Sequence, residues 1–499
     1  MRMKVSQLVV IFAACALAYL FSLAQLYGAY SGIGLISHGG SSPALELVPA
    51  GYNATIIIAH GYCADKEMML PMGLALARNG YRVILYDSAG HGASSMLLGD
   101  EPTNVTMDRV ADAYAVDNFS VAGHSMGSLA ISYAMGGKPD ACIGISPIDG
   151  AVNGTLPKNL LLLAGGADIE SVKTTAVNAM KNGTGINNPE TGYTYGGFSD
   201  GTARKLVILD GDNHITVLYD RRVYDSMLGW LDATYSIERS GGPSSYGNTA
   251  LWFLLCALFA IIAFFPFTAF LSGELMGTTH EFRAPDPGLL KPALLVAGAA
   301  IAAAAITYFT GFPSIGIQLG NTVSIYLFVM GIIGLGSYWL IFRDSFKGQK
   351  FSSRAVLRPL ALELVFLLYF LLFIGIPATA SIYGLLPGMK RAIFIILMGA
   401  MLFPYNLLSE LSFRGIPGYK SLLEGASLRI VAIALLMASI LLSGTGGFFM
   451  VILPVLLPLF VFLEVLSYYT YRLSGNVLIG AILNSLLAAW LMASAFPLV

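Results

Sequence analysis

The stretch Phe119-Ser120-Val121-Ala122-Gly123-His124-Ser125-Met126-Gly127-Ser128-Leu129-Ala130 decides how this chain folds. The apolar run 119–122 reads as a strand, and residues 128–134 read as a helix. Between them lies Gly123-His124-Ser125-Met126-Gly127, the G-x-S-x-G pattern of a sharp strand-to-helix turn. A serine at the tip of such a turn adopts a strained backbone, and its neighbours must have almost no side chain. The turn presents the Ser125 hydroxyl at the start of the helix, set for attack on a carbonyl. That chemistry needs a base and an acid to orient the base.

Working outward, the same alternation recurs. Residues 54–59, 81–86, 141–145, 159–164 and 205–209 read as apolar strands, and 68–79 and 105–116 as helices. A last helix is expected over 217–233. Strands this apolar, alternating with helices, indicate a parallel sheet covered on both faces. In such a sheet, chemistry collects past the carboxyl ends of the strands. Run 159–164 leads into Gly165-Gly166-Ala167-Asp168, and run 205–209 into Asp210-Gly211-Asp212-Asn213-His214. Ser125, Asp168 and His214 therefore follow the order serine, acid, histidine. His214 is the expected base, and Asp168 the acid that holds its tautomer. Asp210 and Asp212 are alternatives for the acid. The oxyanion needs two donors. These are the backbone N–H of Met126 and that of Tyr62, on the loop His60-Gly61-Tyr62 after the first of these strands. The competing reading makes His60-Gly61 an ordinary turn, and gives single Ser, Asp and His residues capping or structural roles.

Together these pieces resemble an α/β hydrolase of the monoacylglycerol-lipase or general esterase type, over residues 56–218. The matching parts are His60-Gly61, Asp87-Ser88-Ala89-Gly90-His91-Gly92-Ala93-Ser94, the serine turn, the 165–168 loop and His214. The resemblance implies an α/β hydrolase fold, a parallel-sheet α/β sandwich, and a serine esterase or lipase working through an acyl-enzyme. It implies a supporting role for His91, beside His60 and Gly61. Ala89 stands where the family usually has arginine. The triad needs no cofactor, and no metal cluster is read from the four cysteines. The expected substrate is a small-molecule or lipid ester. Acyl transfer by the same triad is the alternative, as is a transport or binding protein with an accessory hydrolase domain. The connection 147–158 is too short for a usual cap. Residues 170–204, with the polar stretch 182–190, are read either as a small mobile flap or as a surface loop after a helix.

Hydrophobic residues make up 56 % of the 499, and charged residues only 11 %, against a usual quarter. That excess lies outside 31–245 and calls for a polytopic membrane protein. Formal charge is −1 and there is no basic tract, which argues against nucleic-acid binding. The expected organisation is an N-terminal transmembrane anchor in 1–30, a hydrolase domain in 31–245, and an all-α multi-span transmembrane domain in 246–499. The anchor, 6–28, follows a basic head. Cleavage near Ser22-Leu23-Ala24, or lipoprotein processing at Phe12-Ala13-Ala14-Cys15, would leave 31–245 on the same side. Eight further spans fit 250–272, 289–311, 319–342, 358–380, 391–409, 427–444, 447–469 and 474–496. The loops expected inside hold Arg283, Arg343, Lys347, Lys350, Arg354, Arg414, Lys420 and Arg472, with Lys390-Arg391 the exception outside. This bias puts the N-terminus in the cytoplasm and the hydrolase domain outside, extracellular or periplasmic. Five N-x-S/T sequons, at Asn53, Asn104, Asn118, Asn153 and Asn182, all fall in that domain.

Glu363, Asn406, Glu410, Arg414, Glu464 and Asn484 fall in or beside spans, where ionisable groups default to functional candidates. Glu410 and Arg414 are four apart and can pair. Packing between helices is the plainer role. Ser409-Glu410-Leu411-Ser412-Phe413-Arg414-Gly415 resembles the Glu-Glu-x-x-x-Arg signature of the CPBP intramembrane protease family, and 469–484 its closing segment. Ser409 replaces the first glutamate, and Gly480 stands where that family has a histidine. The resemblance therefore implies a related fold without the protease chemistry.

Overall fold

A computed structural model describes residues 4–114, 118–239, 246–274, 288, 290–346, 353–442 and 449–499. The chain divides into two compact units. One comprises Tyr19–Cys256, Gly375–Leu386 and Pro497–Val499; the other comprises Met1–Ala18, Ala257–Ile374 and Pro387–Phe496.

The first unit is built on a nine-stranded sheet. Its strands are β1 Ile33–His38, β2 Ala44–Pro49, β3 Ala54–Ala59, β4 Tyr81–Tyr86, β5 Phe119–His124, β6 Cys142–Ile145, β7 Leu160–Gly165, β8 Thr194–Tyr195 and β9 Arg204–Leu209. The order is β1-β2-β4-β3-β5-β6-β7-β9-β8. The run from β4 to β9 is parallel, and β1, β2 and β8 add antiparallel edges. Strand β3 is buried at every residue. Because side chains alternate faces, Ile56 and Ile58 join one core and Ile57 and Ala59 the other. Helices α2 Leu70–Ala77 and α6 Arg221–Thr234 cover the first face. Helices α3 Thr103–Tyr114, α4 Ala130–Ala134 and α5 Glu170–Thr184 cover the second.

The parallel strands fall where the apolar runs put them. Three features do not. Residues 33–49 form the β1–β2 hairpin, and its outer strand exposes four consecutive residues. The segment 170–204 is no free flap: α5 buries Val172, Ala176 and Met180, and β8 pairs with β9. The turn after β5 opens as a 3-10 turn, Ser125–Leu129, before α4 begins.

Helix α1 is Val5–Gly28. The second unit is helical: α7 Thr249–Glu274, which begins in the first unit, then α8 Leu290–Thr310, α9 Gly320–Phe342 and α10 Ser353–Phe370. After a π turn and the short α11 Ile376–Thr379 come α12 Met389–Phe413, α13 Lys420–Leu442, α14 Phe449–Ser474 and α15 Val477–Ala495. Among the described residues, eight helical stretches are long and apolar enough to cross a membrane: α1, α7, α8, α9, Leu360–Thr379, α12, α13 and α15. Helix α14 is 26 residues long. The turn expected at Gly444-Thr445-Gly446-Gly447 lies outside the described residues, as do Arg283, Lys347 and Lys350.

Two charges change meaning. Arg391 is buried, and its guanidinium donates to the carbonyls of Ala493 at 2.6 Å and Phe496 at 2.8 Å. It caps the end of α15, where a cation is favoured, and is not a loop charge. Arg414 is likewise buried. Neither belongs in a count of loop charges.

Candidate active site

Four adjacent strands deliver one residue each from their carboxyl ends: Ser125 after β5, Ser146 after β6, Asp168 after β7 and His214 after β9. Ser125 has φ +51°, a left-handed backbone that costs a non-glycine residue energy. The flanking glycines permit it. A Cβ on Gly123 would lie 1.8 Å from the Gly127 carbonyl oxygen, and one on Gly127 would lie 2.4 Å from that of Ala59.

His214 Nε2 is 2.9 Å from Ser125 Oγ, and His214 Nδ1 is 2.9 Å from Asp168 Oδ1. The Asp168 carboxylate also accepts from the Ser146 hydroxyl at 2.5 Å and the Ile169 N–H at 2.8 Å. Burial works to raise this carboxyl, but the His214 and Ser146 hydrogen bonds outweigh it and hold it below the usual carboxylate range. Of the alternatives for the acid, Asp212 is engaged by Arg222 and Thr216, and Asp210 is exposed to solvent. Ser125 and His214 are each only 8 % exposed. The serine is less open than the turn alone suggests, and Gly61 passes close enough that a Cβ there would lie 3.3 Å from the Ser125 Cβ.

His124 was not anticipated from the sequence. Its Nε2–H donates to the His214 carbonyl at 2.9 Å, so it ties the serine turn to the loop carrying His214. Its Nδ1 is buried without a hydrogen-bond partner. Burial, reinforced by the neighbouring His214, pushes the imidazole down to about 3. Ser146 was also missed. The Ser146-Pro147 pair marks a strand end, but its aim at Asp168 depends on a backbone φ of +45°.

On the oxyanion side, Met126 follows the serine and Tyr62 lies on the loop after β3. His60 accepts from the Ser88 N–H at Nε2, 3.0 Å, and Nδ1–H donates to the Gly61 carbonyl at 2.7 Å. Burial holds the His60 ring below its ordinary value, so it stays neutral. The His91 ring packs on those of His60 and Tyr62, at centroid distances of 5.2 and 5.5 Å. Asp87 is fully buried and accepts from Lys66 Nζ at 2.7 Å and from the Ala93 N–H at 2.9 Å. Among the described residues, no group of three or more His, Cys, Asp or Glu side chains is arranged to hold a metal ion.

The second unit holds a separate polar cluster. Arg414 Nε reaches Glu410 at 3.1 Å, and its terminal nitrogen reaches Glu464. Arg429 Nε meets the other Glu464 oxygen at 2.6 Å, and Arg429 also donates to Asn406 Oδ1 at 3.2 Å. The Ser467 hydroxyl donates to Glu410. Two carboxylates and two guanidiniums thus balance, all buried. Arg429 could be found only as an arginine inside an apolar run. Asn484 is not part of the cluster: it is fully buried with neither amide atom hydrogen-bonded, and both Glu363 oxygens are likewise unpartnered.

The alpha/beta hydrolase fold family matches residues 54–152. No curated protein matches the chain. Among solved structures, a CIB-like hydrolase of Thermoplasma acidophilum is similar at 17 % identity, over 40 % of this chain and 99 % of that one, with a TM-score of 0.32. A monoacylglycerol lipase of Paleococcus ferrophilus is similar at 14 % identity, over 40 % and 98 %, with a TM-score of 0.30. A membrane phospholipase A described as a bacterial virulence factor is similar at 16 %, over 46 % and 97 %, with a TM-score of 0.32. These matches give no support to the CPBP resemblance of the helical region. The chain joins an alpha/beta-hydrolase-like segment to a helix-rich region with several membrane-spanning candidates.

Proposed function

We propose that this protein is a membrane-tethered serine hydrolase that cleaves carboxylic esters of lipid-like or acylated molecules. The observation that carries the reading is the relay from Ser125 through His214 to Asp168, two contacts of 2.9 Å, on a turn with φ +51° at the serine.

In the proposed reaction, His214 Nε2 takes the Ser125 proton as Oγ attacks the ester carbonyl. The Met126 and Tyr62 backbone N–H groups hold the oxyanion. His214 then gives its proton to the leaving alcohol, and the acyl-enzyme forms. Water, deprotonated by His214, releases the acid and restores the serine. Asp168 keeps Nδ1 protonated throughout and stabilises the imidazolium. Tethering at a bilayer favours encounter with amphipathic esters. Leu498 hydrogen-bonds to Gly90 and Tyr383 to Cys63, which supports one side of the bilayer for the α/β domain, the 380–386 turn and residues 497–499. We assign that side as outside, from the Lys/Arg bias of the remaining loops.

The test is labelling with a fluorophosphonate. Wild-type protein is expected to be labelled and to hydrolyse short p-nitrophenyl esters, and Ser125→Ala to do neither. Equal labelling of both removes the assignment.

A further inference from the structure

The loop carrying His60, Gly61 and Tyr62 continues into Cys63, Ala64 and Asp65, where it meets a distant stretch of the same unit. The Tyr383 hydroxyl donates to the Cys63 carbonyl at 2.7 Å. The Gly384 N–H donates to Asp65 Oδ2, also at 2.7 Å. Both donors belong to Gly375–Leu386, the connection between α10 and α12. That connection is itself fixed. The Tyr30 hydroxyl donates to the Ala380 carbonyl at 2.5 Å, and the buried Ser381 hydroxyl to that of Pro377 at 2.6 Å.

Asp65 is fully buried, and its other oxygen accepts from the Met68 N–H at 3.0 Å, at the turn into α2. The next residue, Lys66, is bound to Asp87 and Glu67. The near end of the loop is held by His60 on Ser88. Its far end is held both by these local contacts and by residues 383 and 384, more than 300 positions away in sequence.

We propose that Tyr383 and Gly384 are positioning residues for the candidate oxyanion loop, so that a segment between two membrane-type helices completes the hydrolase site. The inference rests on the reading of Ser125 given above. An oxyanion donor contributes only when it is held at the place where charge develops; removing one costs roughly 10²–10³ in rate. A loop that loses one of its anchors keeps part of that effect.

The experiment uses the full chain in detergent micelles. Tyr383→Phe is expected to lower kcat about tenfold, a fraction of the loss for a missing donor, while KM stays within about twofold. Affinity for an acyl trifluoromethyl ketone should fall in parallel with kcat, because its Ser125 adduct places an oxyanion at the same donors. Asp65→Ala should behave alike, and Asp65→Asn, whose single side-chain oxygen replaces the two that accept from Gly384 and Met68, should lose clearly less activity. Leu386→Ala, a half-exposed neighbour in the same connection, should match wild type. Hydrogen exchange gives a readout independent of turnover: amides 60–65 should exchange faster in Tyr383→Phe. Unchanged kcat, ketone affinity and exchange in Tyr383→Phe and Asp65→Ala overturn the proposal. An effect on KM alone does so too. If Tyr383→Phe does not fold, the contrast of Asp65→Ala with Asp65→Asn decides. Wild-type protein that takes no fluorophosphonate defeats the reading of Ser125 instead, and the exchange arm still judges the anchor.

Discussion

His124 sits one residue before the serine and has a different task. Its ring bridges the serine turn and the His214 backbone, with Nε2–H on the carbonyl and Nδ1 buried unpaired. The folded chain holds it neutral down to about 3, whereas an unfolded histidine takes a proton near 6.5. Between those values the unfolded chain binds more protons. The stability from this group is therefore complete above about pH 6.5 and is lost as pH falls toward 3. His60, also depressed by burial, acts in the same direction. Asp168, depressed in the fold, adds a further loss as pH falls below the ordinary carboxylate value of about 3.9. His124→Phe should therefore flatten the acid side of the stability curve by about 1.4 kcal/mol per pH unit below pH 6, measured by chemical denaturation at pH 7, 6 and 5. The same variant should lose roughly fivefold in kcat, since the loop carrying His214 loses a hydrogen bond of about 1 kcal/mol. An unchanged acid slope would disprove the assignment. At this scale Ser125, Asp168 and His214 were legible, because a turn pattern and two strand ends name them. His124 and Ser146 were not: one fills the variable place in the turn pattern, and the other acts through a backbone angle that composition does not reveal.

Among elements, the passage from β5 into α4 is the least tolerant. A methyl on Gly127 meets the Ala59 carbonyl of β3 at 2.4 Å, and neither backbone can yield without breaking the central parallel pair. Gly127→Ala should destabilise the protein by about 3 kcal/mol or more, seen as a large drop in melting temperature or as loss of folded material. The helices α12 to α15 offer a contrast. Glu464 is shared by Arg414 and Arg429, so Glu464→Gln leaves two buried guanidiniums facing one carboxylate and should cost about 3–5 kcal/mol. Asn484→Leu removes an amide with no partner and should be neutral or stabilising. Thermal melts of the two variants in one detergent check the order, and the reverse order would sink this account of the cluster. The buried strands β3, β4, β5, β6 and β7, and the partly buried β9, were readable as apolar runs. Strands β1, β2 and β8 were not: β1 and β8 are edge strands with an open side, and the short run of β2 is broken by Glu46. Helix α5 was hidden because its outer face is polar and it ends at Gly185 with φ +71°. The Glu410–Arg414 pair followed from spacing within one helix. The link to Arg429 did not, because spacing says nothing about which helix lies opposite.

At the scale of the whole chain, composition drew a boundary near residue 245, whereas the α/β unit also takes in Gly375–Leu386 and Pro497–Val499. Apolar content marks where helices run; it carries no trace of a hydroxyl reaching a carbonyl 320 residues upstream. A fragment limited to residues 31–245 lacks the partners of Cys63, Asp65, Gly90 and Leu98. Losing four hydrogen bonds at about 1 kcal/mol each should lower its melting temperature by roughly 8–16 °C relative to the α/β unit of the intact chain, as calorimetry would register. An equal melting temperature would show that the added stretches carry no stability. The last of them, Leu498, exchanges backbone hydrogen bonds with Gly90 and Leu98. A ribosome adding about 5–20 residues per second delivers it roughly 20–75 s after the serine. On the proposed reading, the nascent enzyme gains full turnover only after these distant stretches have been added.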